Sequence, residues 1–384
     1  MEEADFVRKI NDTGGRAYVA GGWVRDHKMG VPGRDKDYVV TGVAESAFKE
    51  VFPCAIKAGG RFPVYRLEIT AKTSKMCDVS LARRETKSGR GYRGFEPVSS
   101  PLVTIEEDMA RRDTTVNAMA VDLETGELID PYGGMRDLQN GVIRAVSERF
   151  ADDPVRALRA ARQAAQFGFR IEPDTVRLMA RCRDELAGEP AERLVNELKL
   201  AMFCRAPSIF FVSLDAAEIL DVTYPAVQAP ANTGPSAFSG RMRTLDRAAA
   251  LTRRAEIRFA ALAADAAPEW KRMARKLPRL WVKCALFASS WCKSAFETRE
   301  PDAVRNLLEQ LSSHPIGSDG FKSVILAIYG HIPPILERVS ELERAMRNVK
   351  VTDAPDGLSG ERLGAWLKDR RNAAIAKFVS NRTD

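Results

Sequence analysis

The chain has 384 residues, 45% of them hydrophobic and 29% charged, with 59 Lys and Arg against 52 Asp and Glu for a net charge of +7. That is the make-up of an ordinary soluble globular protein with room for two to four domains, and its Arg-rich excess favours a polyanionic partner such as nucleic acid. No run of about 18 apolar residues occurs, so no membrane span is expected. Six cysteines without a CxxC pair fit reduced thiols in a cytoplasm rather than a disulfide framework. The opening MEEADF lacks a basic start and an apolar stretch, so no leader is expected.

The first 145 residues mix short strand-type runs with turns. AYVAGG, DKDYVV, FPVYRLEI, KMCDVSLA, NAMAVDL and ELID read as strands, and KMGVPGR and LETGEL as turns. Residues 43–51 and 105–118 read as helices. From about residue 150 the apolar residues recur at helical spacing, in PVRALRAARQAAQF, DTVRLMARCRDEL, AERLVNELKLAMF and SIFFVSLDAAEIL. No comparable strand signal follows. The Pro-, Ala- and Ser-rich stretch 223–239 reads as a loop between helical modules. The fold expected is an α+β head with a mixed or antiparallel sheet, followed by an all-α neck, body and tail.

The chemistry begins at VAGGWVRDHKMGVPGRDKDYVV, residues 19–40. Alternation along a strand points Asp35 and Asp37 the same way. Two carboxylates that close repel unless a cation joins them, and Mg²⁺ prefers hard oxygen ligands together with substrate phosphate. Asp78, on another expected strand, is the candidate third carboxylate. The competing reading is a solvated DxD turn. Gly21 and Gly22 lie between a strand and a helix start, where backbone N–H groups can approach a phosphate. Arg25, one turn into that helix, can grip a triphosphate. A glycine pair also suits a plain tight turn.

GGWVRD followed by DKD resembles the signature of the nucleotidyltransferase superfamily related to polymerase β. With RRDTTVNAMA (111–120), DPYGGMRDL (130–138), DDPVRALRAAR (152–162) and AERLVNEL (191–198), the chain resembles more narrowly the class II tRNA nucleotidyltransferases, or CCA-adding enzymes, and the related bacterial poly(A) polymerases. The resemblance spans about 180 residues. Two positions depart from the usual pattern: Trp23 stands where a small residue is usual, and Thr114 where an aromatic or aliphatic residue follows RRD.

The resemblance implies a set of roles. Asp35 and Asp37 hold Mg²⁺, with Asp78 supporting them as the third catalytic carboxylate. Gly21, Gly22, Arg25 and Arg112 bind triphosphate and sugar, and Asp113 and Asn117, read as four apart on a helix, hydrogen-bond a ribose. Asp153 and Arg156 act as a protein template. Cytosine and adenine each present an amino donor beside an acceptor nitrogen, which an Asp–Arg pair complements, whereas uracil and guanine present the reverse order. Arg159 and Arg162 hold the base or triphosphate. On spacing alone, the reading favoured there is a plain salt-bridged surface helix. DPYGGMRDL is implied to be hinge-like, and AERLVNEL, with Glu192, Arg193 and Glu197, to brace the neck helices. The basic, Gly-rich stretch 80–97 looks like the flexible loop that CCA-adding enzymes need for the terminal A.

Some bacterial members carry a His-Asp phosphohydrolase domain. RFAALAAD (258–265) resembles its doublet segment, with Ala264 in the place of the His, so that chemistry is expected to be absent. LSGERLGAWLKDRR (358–371) resembles the tail of the same members. His27 reads as a helix-surface residue. The expected domains are a catalytic head (1–145), a neck that recognises the base (146–204), a degenerate body (205–285) and a tRNA-binding tail (286–384). The expected activity is template-independent, Mg²⁺-dependent addition of CMP, CMP and AMP from CTP and ATP to the tRNA 3′ end, in the cytoplasm and with no membrane partner. Poly(A) polymerase, partial CC- or A-only addition and non-catalytic RNA binding are the alternatives.

Overall fold

A computed structural model describes residues 1–31, 35–58, 64–69, 76–87, 89, 94–228, 234–265, 270, 276–292, 294–297 and 300–379. The chain forms two compact units, Met1–Glu197 with Ile209–Thr223, and Leu198–Ser208 with Tyr224–Asp384.

The first unit opens with helix α1 (Glu3–Asn11), strand β1 (Arg16–Ala20), helix α2 (Gly22–Lys28), β2 (Asp37–Thr41) and α3 (Glu45–Val51). Nine residues are too few to hold a helix alone in water. α1 persists because Phe6 and Ile10, 0% and 1% exposed, dock on the sheet, each contributing about 1.5–3 kcal/mol. Strands β3 (Ile56–Ala58), β4 (Val64–Glu68) and β5 (Met76–Leu81) follow, then the paired strands β6 (Arg83–Lys87) and β7 (Phe95–Ser99). Helix α4 (Ile105–Ala110), a 3₁₀ turn at Thr115–Asn117, β8 (Ala120–Asp122) and β9 (Leu128–Ile129) complete the head.

The main sheet runs β3-β4-β5-β2-β1-β8-β9, and its β2–β5 pair is parallel while the others are antiparallel. Both central strands are apolar on consecutive residues, Tyr18–Ala20 and Tyr38–Val40, as expected for strands covered on two faces. In register, Ala20 faces Asp37 and Tyr38 faces Val79. Asp37 therefore enters the sheet between the end of β1 and the Asp78 level of β5.

Then come α5 (Gly134–Gln139), β10 (Val142–Ile143), a 3₁₀ turn (Glu148–Asp152), α6 (Val155–Phe167), β11 (Arg170–Ile171), α7 (Pro173–Arg181), α8 (Arg183–Ala187) and α9 (Ala191–Ala201). The parallel β10–β11 pair corrects the expectation of no strand after residue 150; two-residue strands leave too short a pattern to read. The expected helix over 105–118 also needs correcting. It ends at Ala110, and Thr114 is extended (φ −130°, ψ 152°) before the 3₁₀ turn. Asp113 and Asn117 are thus not on an α-helix. The stretch 80–97 is not a plain loop, since β6 and β7 occupy its two flanks. The turn at 28–34, the tip of 80–97 and the stretch 223–239 lie partly outside the described residues, at 32–34, 88, 90–93 and 229–233.

The second unit is helical among its described residues. Helices Gly234–Leu251, Ala255–Ala263, Arg279–Trp291, Pro301–Ser313, Gly317–Tyr329 and Gly360–Val379 enclose a core that includes Ile257, Phe287, Leu307, Phe321, Leu342 and Ile375. Ala264 caps the second of these helices, and Asp265 accepts from the Nε of Arg241 at 2.9 and 3.2 Å. The buried Arg258 donates to four backbone carbonyls, of Met202, Cys204, Ala249 and Thr252. The polar groups of RFAALAAD are thus turned to packing.

Candidate nucleotide and metal site

The site starts where β1 stops. Gly21 has φ 78° and ψ −132°, a backbone region that only glycine enters freely. Its N–H donates to the Met119 carbonyl at 3.0 Å. A Cβ there would stand 2.5 Å from Arg112 Nη1. Gly21 is therefore required twice, for the turn and for the approach of Arg112.

Arg112 reaches this place from the C-terminal end of α4. Thr104 and Glu107 close a capping box at the other end of that helix. Asp108, fully buried, accepts from Arg111 Nε and Nη2 at 2.9 and 2.8 Å and from Arg112 Nη2 at a long 3.4 Å. Burial pushes the Asp108 carboxyl up, but Arg111 and Arg112 outweigh it and hold the group below its ordinary range. The other Arg112 contact, to the Asn117 carbonyl, is also long at 3.3 Å, and its Nε is buried without a partner. Burial lowers the Arg112 pKa. This guanidinium is poorly satisfied and lies beside a glycine turn, which suits a site for an anion.

Across the turn stand the carboxylates. Burial raises the Asp37 pKa, Arg112 opposes that, and the charges of Asp78 and Asp35 raise it further. The structure thus brings Asp35, Asp37, Asp78 and Arg112 into one electrostatic neighbourhood. Asp78 pairs with Arg66 of β4 at 3.4 Å, in an exposed and therefore weak contact. Among the described residues no three His, Cys, Asp or Glu side chains form a ready cage for a metal ion. Mg²⁺ does not require one, since it commonly takes one or two carboxylates together with substrate phosphates. The donor chemistry of Asp35 and Asp37 fits that ion.

The remaining expected residues divide. Arg25 faces inward: it is 4% exposed, donates to Asp26 Oδ1 at 2.9 and 2.7 Å and to Asn117 Oδ1, and lies 4.6 Å over the Phe167 ring. Asp113 is the centre of a buried network. It accepts from Arg159 Nε (2.7 Å), Asn117 Nδ2 (3.0 Å), Gln163 Nε2 (3.1 Å) and the Thr114 N–H (2.8 Å). Burial disfavours its charge, but Arg159 and Asn117 hold its pKa far below the ordinary range. Thr114, the atypical residue, donates its hydroxyl to Gln163 at 2.7 Å.

Asp153 lies just outside α6, before Pro154 at its N-cap, and its carboxylate accepts the Val155 N–H at 3.2 Å. Its carboxylate is gripped by Arg193 at 2.9 and 3.0 Å, and Arg193 also holds Glu189. Arg156 donates to the Arg149 carbonyl at 2.8 Å. Asp153 and Arg156 are joined through the backbone, the Arg156 N–H donating to the Asp153 carbonyl at 3.0 Å, while their side chains take these different partners. Arg162 pairs with Glu197 at 2.6 Å, so AERLVNEL clasps α6 through both Arg193 and Glu197. In DPYGGMRDL, Asp130 caps α5 and the buried Asp137 accepts from Thr115 Oγ1 (2.8 Å) and Arg144 Nε (3.0 Å). Gly134 sits where a Cβ would meet the Thr115 carbonyl at 2.3 Å.

Sequence reading missed Asp108, Arg111 and Glu85. Asp108 stands three residues before Arg111 and four before Arg112, a helix-spaced signal visible in EEDMARRD. Glu85 of β6 accepts from Arg83 at 3.0 Å and from Arg111 at 3.1 Å, and stands 3.9 Å from Arg156. No local pattern announces such long-range contacts.

Residues 17–144 match the family described as poly A polymerase head domain, and residues 168–229 the family described as probable RNA and SrmB-binding site of polymerase A. Among solved structures, a CCA-adding enzyme in an apo form is 24% identical with a TM-score of 0.70, over 97% of this chain and 93% of that one. A CCA-adding enzyme in complex with ATP gives 23% and 0.70, over 98% and 90%. A tRNA nucleotidyltransferase complexed with a primer tRNA and an incoming ATP analogue gives 24% and 0.66, over 90% and 99%. Likeness at these identities speaks to the fold. No described helix is long and apolar enough to cross a membrane.

Proposed function

The chain belongs to the class II tRNA nucleotidyltransferase and bacterial poly(A) polymerase family, and from that membership we propose that it is a CCA-adding enzyme, extending tRNA 3′ ends with CMP, CMP and AMP. Transfer of a nucleotidyl group is the family's chemistry. The observation that carries the reading here is the placing of Asp35 and Asp37 beside Asp78, opposite a glycine turn into which the under-satisfied Arg112 points. Bound Mg²⁺ would supply Lewis-acid stabilisation of the α-phosphate and activation of the attacking 3′-hydroxyl. Asp35 and Asp37 are the residues to hold it.

Arg112 then neutralises the triphosphate, and the Gly21 turn admits the phosphate without a side chain in the way. The Asp113 network fixes α6 against the RRD segment, so that Arg156 and Asp153 hold one orientation. Asp153 keeps acceptor capacity beside Arg193, because a carboxylate offers about four lone-pair sites. Together with the Arg156 donor it complements the shared amino-donor and ring-acceptor edge of C and A. The stretch 80–97, rooted through Glu85, favours CCA addition over poly(A) synthesis. The solved relatives named for ATP and tRNA support the same substrates, and CTP is the third. A cytoplasmic site of action is part of the same proposal, resting on six cysteines without a CxxC pair.

The test is sequencing of the products after incubation with tRNA lacking CCA and all four nucleotides. The expected product ends in CCA. A-runs on any RNA 3′ end would point to a poly(A) polymerase, C-only or A-only ends to a partial enzyme, and no extension to an RNA-binding protein.

A further inference from the structure

One carboxylate of α1 grips both neighbours of Asp37. Glu3 accepts from Lys36 Nζ at 2.8 and 2.9 Å and from the Tyr38 hydroxyl at 2.7 Å. Lys36 and Tyr38 both turn to Glu3, and alternation along β2 sends Tyr38 to the face opposite Asp37. Glu3 therefore holds the DKD segment from behind, on the side Asp37 does not use. The Tyr38 ring is locked in turn, 1% exposed and edge-on to Phe6 at 5.4 Å. Phe6 lies one turn along the same helix as Glu3.

Lys36 makes a second contact. Its ammonium sits 4.9 Å from the centre of the Trp23 ring, and Trp23 stacks on His27 at 4.9 Å and 7°. Trp23 follows Gly22 on α2. One ammonium thus joins the N-terminal helix, the aspartate segment and the helix that leaves the glycine turn. The β1–β2 ladder already sets Asp37 opposite Ala20, beside Gly21; the bridge extends that restraint to Asp35, which precedes the first paired residue. Glu3 also keeps the charge of Lys36 occupied, away from the two aspartates on either side of it.

We infer that Glu3 is a positioning residue for Asp35 and Asp37, acting through Lys36 and Tyr38, and that the otherwise unusual Trp23 is the contact that carries the same restraint to the phosphate turn. The purpose of this device rests on the nucleotidyl-transfer reading, but its measurement does not.

The experiment is Mn²⁺ titration of the full chain, with free Mn²⁺ followed by electron paramagnetic resonance and thermal unfolding run in parallel. Glu3→Ala is expected to weaken Mn²⁺ binding about tenfold, the low end for losing a group that orients metal ligands. Glu3→Gln keeps an acceptor for Tyr38 and Lys36 and should recover most of that affinity. Ile10→Ala loosens the same helix away from Glu3; it should lower the unfolding temperature and leave Mn²⁺ affinity near wild type. Unchanged Mn²⁺ binding in Glu3→Ala, equal loss in Ile10→Ala, or no binding by the wild-type chain overturns the inference. A wild-type chain that binds Mn²⁺ through Asp37, responds to Glu3 and yet extends no tRNA would sink the proposed function and leave this inference standing.

Discussion

Two charged regions of the head, both reached by the RRD segment, are built on opposite terms. Around Asp113 four donors meet one acceptor: Arg159 Nε, Asn117 Nδ2, Gln163 Nε2 and the Thr114 N–H all converge on one buried carboxylate. One residue earlier in the chain, Arg112 makes two long contacts and leaves Nε without a partner, while three aspartates crowd the other side of the turn. A satisfied buried network rigidifies, whereas an unsatisfied one keeps its electrostatic capacity for a ligand. The contrast separates scaffold from reaction site without reference to any ligand, and substitutions should respect the division.

The largest effect belongs to the unsatisfied side. Asp37→Ala should lower CMP incorporation into tRNA lacking CCA by on the order of a thousandfold, the upper range for losing one preorganised transition-state contact. Its urea midpoint should hold or rise, because burial and the neighbouring carboxylates make the Asp37 charge unfavourable. A large fall in stability with activity retained would contradict the division.

The satisfied side should answer in the reverse way. Asp113→Ala strands Arg159, Asn117, Gln163 and a backbone N–H together. Breaking a buried pair costs about 3–5 kcal/mol, and the 40% exposure of the Arg159 side chain puts the expected loss near the lower figure. Urea unfolding measures it. The pH dependence follows from the same group. Its folded pKa is depressed, so its contribution is complete above the ordinary aspartate value of about 4 and fades as pH falls below that. Between roughly pH 4 and 2, wild-type stability should therefore fall more steeply than that of Asp113→Asn.

Gly21 tests the seam between the regions. Gly21→Ala places a methyl in a backbone region that costs about 1–3 kcal/mol and drives a Cβ against Arg112 Nη1. The apparent KM for CTP should rise by more than the stability loss accounts for, because Arg112 must move. An equal change in stability and no change in KM would assign Arg112 to the scaffold.

The same contrast explains what the sequence made legible. The carboxylates and the glycine turn are short-range patterns: strand alternation and a positive-φ turn are written within a few residues. The central strands were legible for the same reason, as runs of consecutive apolar residues. What hid was whatever depends on distant partners. Arg25 reads as a phosphate ligand from its place in α2, yet Asn117 and Phe167 draw it inward from 92 and 142 positions away in the sequence. Asp153 and Arg156 share a spacing that suggests a pair, but Arg193 and the Arg149 carbonyl take them separately. Helical periodicity carried past Ala110 because RRDTTVNA keeps a helical pattern; the extended Thr114 is set by Asp113 and Gln163, which the pattern cannot contain.

The smallest effect concerns the support of Arg112. Thr104 caps α4 by accepting the Glu107 N–H, and Glu107 returns the bond to the Thr104 N–H at 3.1 Å. Thr104→Ala should cost about 1 kcal/mol, the usual price of an N-cap oxygen. Burnt into a six-residue helix, that loss frays the N-terminal turn, where Glu107 also meets Arg84. Asp108 and Arg111 lie at its C-terminal end and are anchored independently by Glu85 and by the Arg83 N–H, which donates to Asp108. The KM for CTP should therefore stay at the wild-type value while the urea midpoint drops slightly. If KM rises instead, the orientation of Arg112 is set by the helix as a whole, and the boundary between scaffold and site moves from Asp108 back to Thr104.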